Sequence, residues 1–135
     1  MAGYSSTPLW KKLGYKPGLA AYLDSPPEDY IKLLDLPAGI TIDWLGKLER
    51  GASFVHLFTT KAATLQKKLA KLRKLIAADG VIWVSWPKKA SHVVTDITED
   101  VIRAIALPTG LVDIKVCAVD ETWSGLKLMI RKTER

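Results

Sequence analysis

Hydrophobic positions in this chain fall into short blocks whose period changes from one block to the next. From Val81 to Trp86, five of six residues are apolar with no alternation, the pattern of a strand buried on both faces. Asp79-Gly80 precedes it as a turn, and Pro87 stops it because proline cannot donate to a central ladder. Leu19–Leu23 and Ser53–Phe58 read as further buried strands, and Ile40–Trp44 alternates as a strand nearer an edge. In Ala63–Ala77, Leu65, Leu69, Leu72 and Ile76 recur at steps of four, three and four, which predicts an amphipathic helix.

Three shorter helices follow from end signals. Thr7-Pro8 opens one that stops at Gly14. Pro26-Pro27-Glu28-Asp29 opens another running to about Asp35, with Ser25 or Asp24 as its cap. Thr98 caps a third, with Val101, Ile102 and Ile105 as its inner face and Pro108 to Gly110 as its stop. Gly46 to Gly51 is too short for a crossover helix, and Ser91 to Ile97 reads as a loop or short strand. Val112, Ile114, Val116 and Ala118 alternate with polar residues, and so do Leu126, Leu128 and Ile130. The six residues Asp120 to Gly125 join these two strands. The order predicts one α/β domain: an open, mostly parallel six-stranded sheet with helices on both faces and an antiparallel C-terminal edge hairpin.

Composition changes this picture little. The 135 residues are 48% hydrophobic and 25% charged, ordinary for a folded domain. No run approaches the length of a membrane span, and the N-terminus lacks the pattern of a signal peptide. The single cysteine, Cys117, excludes an internal disulfide and reads as a buried thiol. A cytoplasmic location is the expectation. Charge is more telling: the net value is +6, and Lys61 to Ala78 holds six basic residues and no acid.

The entry through Lys16-Pro17-Gly18 into a strand ending in Asp24 resembles class I methyltransferases, as does Leu72-Arg-Lys-Leu-Ile-Ala-Ala-Asp-Gly-Val-Ile-Trp-Val84. That resemblance implies a reduced methyltransferase-like Rossmann fold. Its glycine-rich cofactor turn is missing, since the first strand runs into Asp24-Ser-Pro-Pro-Glu28. Two prolines remove donors and add bulk, which argues against S-adenosylmethionine as a cofactor. Asp43, on the second strand, reads as a solvent-facing carboxylate rather than a ribose ligand. A second resemblance covers nearly the whole chain. Met1-Ala-Gly-Tyr-Ser-Ser-Thr-Pro8, Trp83-Val-Ser-Trp-Pro-Lys-Lys-Ala-Ser91 and Gly110-Leu-Val-Asp-Ile-Lys-Val-Cys-Ala-Val-Asp-Glu-Thr-Trp-Ser-Gly-Leu126 resemble a small bacterial family known as a domain of unknown function. It implies no activity, cofactor or catalytic residue.

Candidate chemistry is sparse. His56 lies in a strand pattern and His92 in a loop. A nucleophile drawn from Ser85 or Ser91 with His92 has no supporting motif. Ligands in open α/β sheets bind beyond the carboxyl ends of the strands, which singles out Lys88 and Lys89, with Ser91, Thr95 and Thr98. Thr59, Thr60 and Lys61 belong to the neighbouring strand end. Free N–H groups at the helix starts near Lys61 and Thr98 would favour an anion there. Asp120, Glu121, Trp123 and Ser124 form a loop cluster beside them, in which Asp120 could pair with Lys88 or Lys89. Lys67, Lys68, Lys71 and Lys74 lie on the back of the amphipathic helix, open to non-specific nucleic-acid contact. The leading expectation is a non-catalytic binding or regulatory domain with an anion-accepting crevice, taking a small anion or a protein partner and needing no cofactor. The alternative is a diverged S-adenosylmethionine-dependent methyltransferase-like enzyme.

Overall fold

The computed structural model describes residues 7–135; the opening motif at residues 1–6, and any reading of it as a leader, lie outside them. Six strands form one sheet in the order β2-β1-β3-β4-β6-β5. The strands are β1 (Ala20–Asp24), β2 (Asp43–Trp44), β3 (Ala52–Phe58), β4 (Ile76–Pro87), β5 (Leu111–Ala118) and β6 (Trp123–Ile130). The first four pair in parallel, while β6 runs antiparallel between β4 and β5. The predicted α/β architecture with its antiparallel C-terminal pair is therefore the observed one.

Each face of the sheet has its own core. On one face α3 (Ala62–Leu75) and α4 (Glu99–Ala106) set Leu65, Leu69, Leu72 and Ile102 against Val55, Ile82, Val84 and Leu126. On the other, α1 (Leu9–Leu13) and α2 (Tyr30–Leu34) set Leu13, Tyr30 and Leu34 against Phe54, Phe58 and Trp83. The apolar run of β4 is buried because alternate residues serve alternate cores. Trp83 has no exposure, and its indole N–H donates to the Leu13 carbonyl at 2.9 Å, so the last turn of α1 satisfies the one polar atom of the largest core side chain.

The structure moves several expected boundaries. β4 begins at Ile76 rather than Val81: Ile76 pairs with Ala52 and Val81 with Phe54, so Ala77–Gly80 bulge out of the ladder where a separate turn is expected. α2 starts at Tyr30, and Asp29 at its N-cap makes no side-chain bond. Neither Asp24 nor Ser25 caps it. β2 is two residues long. β6 begins at Trp123, which shortens the hairpin loop. A bulge between Asp113 and Lys115 shifts the faces of β5, leaving Ile114 and Val116 exposed where simple alternation places them inward.

Candidate functional site

The sheet's winding reverses between β1 and β3. Leaving β1, the chain crosses by α2 on one face; leaving β3, it crosses by α3 on the other. The crevice where such crossovers part is the place where open α/β sheets receive ligands. Its β1 side is Asp24-Ser25. Ser25 has φ +56°, a left-handed backbone that glycine usually supplies, and its hydroxyl donates to Asp24 Oδ1 at 2.9 Å. Lys68 Nζ of α3 reaches the same oxygen at 2.7 Å, so among the described residues Asp24 Oδ2 is left unengaged. A small hollow of about 160 Å³ between Tyr22, Asp24 and Lys68 lies under this contact. On the β3 side stand Thr59, nearly buried, and Thr60.

Asp43 is no part of this crevice. It is exposed and pairs with Ala20 at the opposite end of β1 from Asp24, a separation of roughly 13 Å at strand rise. This agrees with its reading as a solvent-facing carboxylate.

A larger cleft of about 740 Å³ opens one strand further along, over the ends of β4 and β6 and the start of α4. Lys88, Lys89, Thr95 and Thr98 line it. Its floor adds Trp86, Ile97 and Ser124. Several of the hydroxyls named in the sequence also have work within the fold. Ser91 turns its hydroxyl to the Lys88 carbonyl at 2.7 Å. Thr98 Oγ1 accepts the Val101 N–H and caps α4. Thr95 donates to the Thr60 carbonyl at 2.7 Å. Lys61 is exposed at the N-cap of α3 and does not line the cleft.

At the helix start beside Lys61 the first N–H is already engaged. The Ala62 N–H already donates to Asp96 Oδ1 at 2.7 Å, so the chain supplies its own carboxylate there. For that one N–H the expectation of an open donor is corrected. Asp120 is engaged through one oxygen: its Oδ1 accepts the Thr122 and Trp123 N–H groups at 2.8 and 2.7 Å, fixing the hairpin turn. The loops do meet, but through Lys88 N–H and the Thr122 carbonyl at 2.7 Å instead of an Asp120–lysine pair. Glu121 is exposed. Trp123 packs edge-on against Phe58 at 5.1 Å and belongs to the core beneath α2. Of the helix lysines, Lys67, Lys71 and Lys74 are exposed, whereas Lys68 is committed to Asp24.

A buried polar line that the sequence does not announce runs through the same region. Tyr15 and Tyr30 hydroxyls lie 2.6 Å apart, Tyr30 Oη is 2.8 Å from His56 Nδ1, and His56 Nε2 is 2.7 Å from Ser85 Oγ. Burial holds the His56 pKa down to about 3, so the ring is neutral. Burial also pushes both tyrosines above their usual range. Ser85 is thus the partner of His56 and not of His92. His56 is fully buried with both nitrogens bound, which removes it as a base for a ligand in the crevice.

A scan against protein-family models finds no match, and neither does a search of curated proteins. Solved structures define the class by fold. A candidate type 11 methyltransferase from Sulfolobus solfataricus aligns with TM-score 0.63 and 13% identity, over 94% of this chain and 92% of that one. An S-adenosylmethionine-dependent methyltransferase from Aquifex aeolicus aligns with TM-score 0.60 and 13% identity, over 89% and 86%. The magnesium protoporphyrin IX methyltransferase of Synechocystis PCC 6803, with bound S-adenosylmethionine, aligns with TM-score 0.60 and 13% identity, over 90% and 74%. The chain has a methyltransferase-like Rossmann fold. The expectation against S-adenosylmethionine, drawn from the glycine-free turn, is overturned by these neighbours, one of which holds the cofactor. The physical reason lies at Ser25, which adopts a left-handed φ without being glycine.

Proposed function

We propose that this protein is a diverged methyltransferase-like protein that binds S-adenosylmethionine or its demethylated product in the β1/β3 crevice. The observation that carries the reading is the reversal of winding between β1 and β3, with Asp24-Ser25 and Thr59-Thr60 at the carboxyl ends of the two strands. Pro26 and Pro27 offer no N–H, so side chains take over what backbone donors do elsewhere. Asp24 Oδ2 would accept from a ligand hydroxyl, and the Ser25 and Thr60 hydroxyls would bond its polar edge. Lys68 steadies Asp24 from behind. When bound, the cofactor supplies a methyl group made electrophilic by its sulfonium, and the chain's part is to bind and orient it.

Calorimetric titration with S-adenosylmethionine and S-adenosylhomocysteine tests this. One equivalent should bind, and Asp24→Ala should weaken binding by about tenfold, the loss of one charge-assisted hydrogen bond. Absence of any heat or thermal shift at millimolar ligand would overturn the reading.

A further inference from the structure

The large cleft over β4 and β6 has a chemistry of its own. Trp86 forms its floor and is 93% buried, with 7% relative exposure. Its indole nitrogen has no hydrogen-bond partner among the described residues. Yet no fully buried side-chain nitrogen or oxygen there is left unpaired, so this N–H must face open space. Trp86 lines the cleft. A buried indole normally finds an acceptor; here the acceptor is left to be supplied from outside the fold.

The rest of the wall sorts by chemistry. The Ser124 hydroxyl beside Trp86 has no partner among the described residues either. Lys88 and Lys89 stand at the β4 rim without a carboxylate partner among the described residues. At the opposite rim Glu99 and Asp100 are held by Arg103, itself a residue of the cleft, at 2.8 and 3.2 Å. Between them lie Pro87 and Ile97, and Val93 and Val94 stay 44% and 91% exposed at the mouth. A cleft of about 740 Å³ is of the size that holds small organic ligands, lined by apolar groups with a few convergent polar ones.

We infer that the β4/β6 cleft, through the unpartnered indole of Trp86 and the unpaired Lys88 and Lys89, binds a small organic anion with an apolar ring or chain. The carboxylate or phosphate lies towards Lys88 and Lys89, an oxygen accepts from the Trp86 N–H, and the apolar body lies against Ile97 and beneath Val93 and Val94. This goes beyond the cofactor reading and does not depend on it, because the cleft opens over a different pair of strands.

The test is an NMR titration of the ¹⁵N-labelled protein with 1-naphthoate, without S-adenosylmethionine, against the neutral 1-naphthalenemethanol. Each tryptophan gives an indole N–H peak, and Trp86→Phe assigns the one that matters. Naphthoate should move the Trp86 peak saturably, and the neutral analogue should bind about tenfold more weakly, as expected for loss of a charge-assisted contact. The Lys88→Ala/Lys89→Ala double variant, whose peak dispersion reports its fold, should weaken naphthoate by a similar factor. No saturable movement up to millimolar naphthoate, or equal binding of the neutral analogue by the unmodified protein, would overturn the inference.

Discussion

The carboxylate of Asp96 accepts the first backbone N–H of α3, that of Ala62, at 2.7 Å. It thereby fastens the loop before α4 to the start of a helix 34 residues away in sequence. The loop's other anchor is Thr95, bonded to the Thr60 carbonyl. Asp96→Ala should remove a cap and lower unfolding free energy by about 0.5–2 kcal/mol. Asp96→Asn, which keeps the acceptor, should recover most of it. Urea denaturation of both variants measures this, and equal losses in the two would show that the oxygen acceptor is not what matters.

Trp83→Phe should cost about 1–3 kcal/mol through the Leu13 carbonyl left without its donor, before any loss of packing. Because the bond joins β4 to α1, amide exchange should quicken in residues 9–13 more than in α3. A uniform change across the molecule would contradict this.

His56 gives the fold a specific pH dependence. Its pKa, near 6.5 in an unfolded chain, is held to about 3 by burial, so below pH 6.5 the unfolded state takes up a proton that the folded state refuses. The stabilisation is complete above pH 6.5 and declines as pH falls toward 3, by roughly 2 kcal/mol at pH 5. His56→Gln should flatten that slope between pH 7 and 5. Parallel stability curves for the two proteins would refute the assignment.

Cys117 is buried, and its thiol pKa is raised by that burial against the partly offsetting charges of Lys12, Lys115 and Lys88. Reaction with a disulfide reagent at pH 8 should be at least about tenfold slower in the native protein than in denaturant. Comparable rates would mean that the site opens readily.

The elements legible in the sequence are those with a local cause. The leucine spacing of α3, the unbroken apolar run of β4 and the Thr98 cap each act within a few residues, and each is found. Lys88, Lys89 and Thr98 were legible as cleft residues because strand ends and helix starts are readable positions. Contacts across the fold were not. Nothing near Asp96 announces Ala62, and nothing near Ser85 announces His56 across 29 positions. Trp86 reads as core in the sequence, and only the structure shows its N–H without a partner. On β5, alternation alone placed Ile114 and Val116 inward, and one bulged residue reversed that. The glycine-free turn misled for a related reason: a serine bonded to its neighbouring carboxylate adopts a backbone conformation that sequence reading reserves for glycine.

The line Tyr15–Tyr30–His56–Ser85 has one more property. A neutral imidazole carries a single N–H. If that hydrogen sits on Nδ1, Tyr30 must pass its own hydrogen to Tyr15, and Ser85 must donate to Nε2. If it sits on Nε2, every donor in the line reverses. The hydrogens therefore cannot reorient one at a time without leaving two lone pairs or two hydrogens face to face. One helix, the turn that follows α1 and the two central strands are joined by a single collective choice of polarity, shut away from solvent. Its exchangeable hydrogens should persist long enough to be seen as separate proton resonances in water.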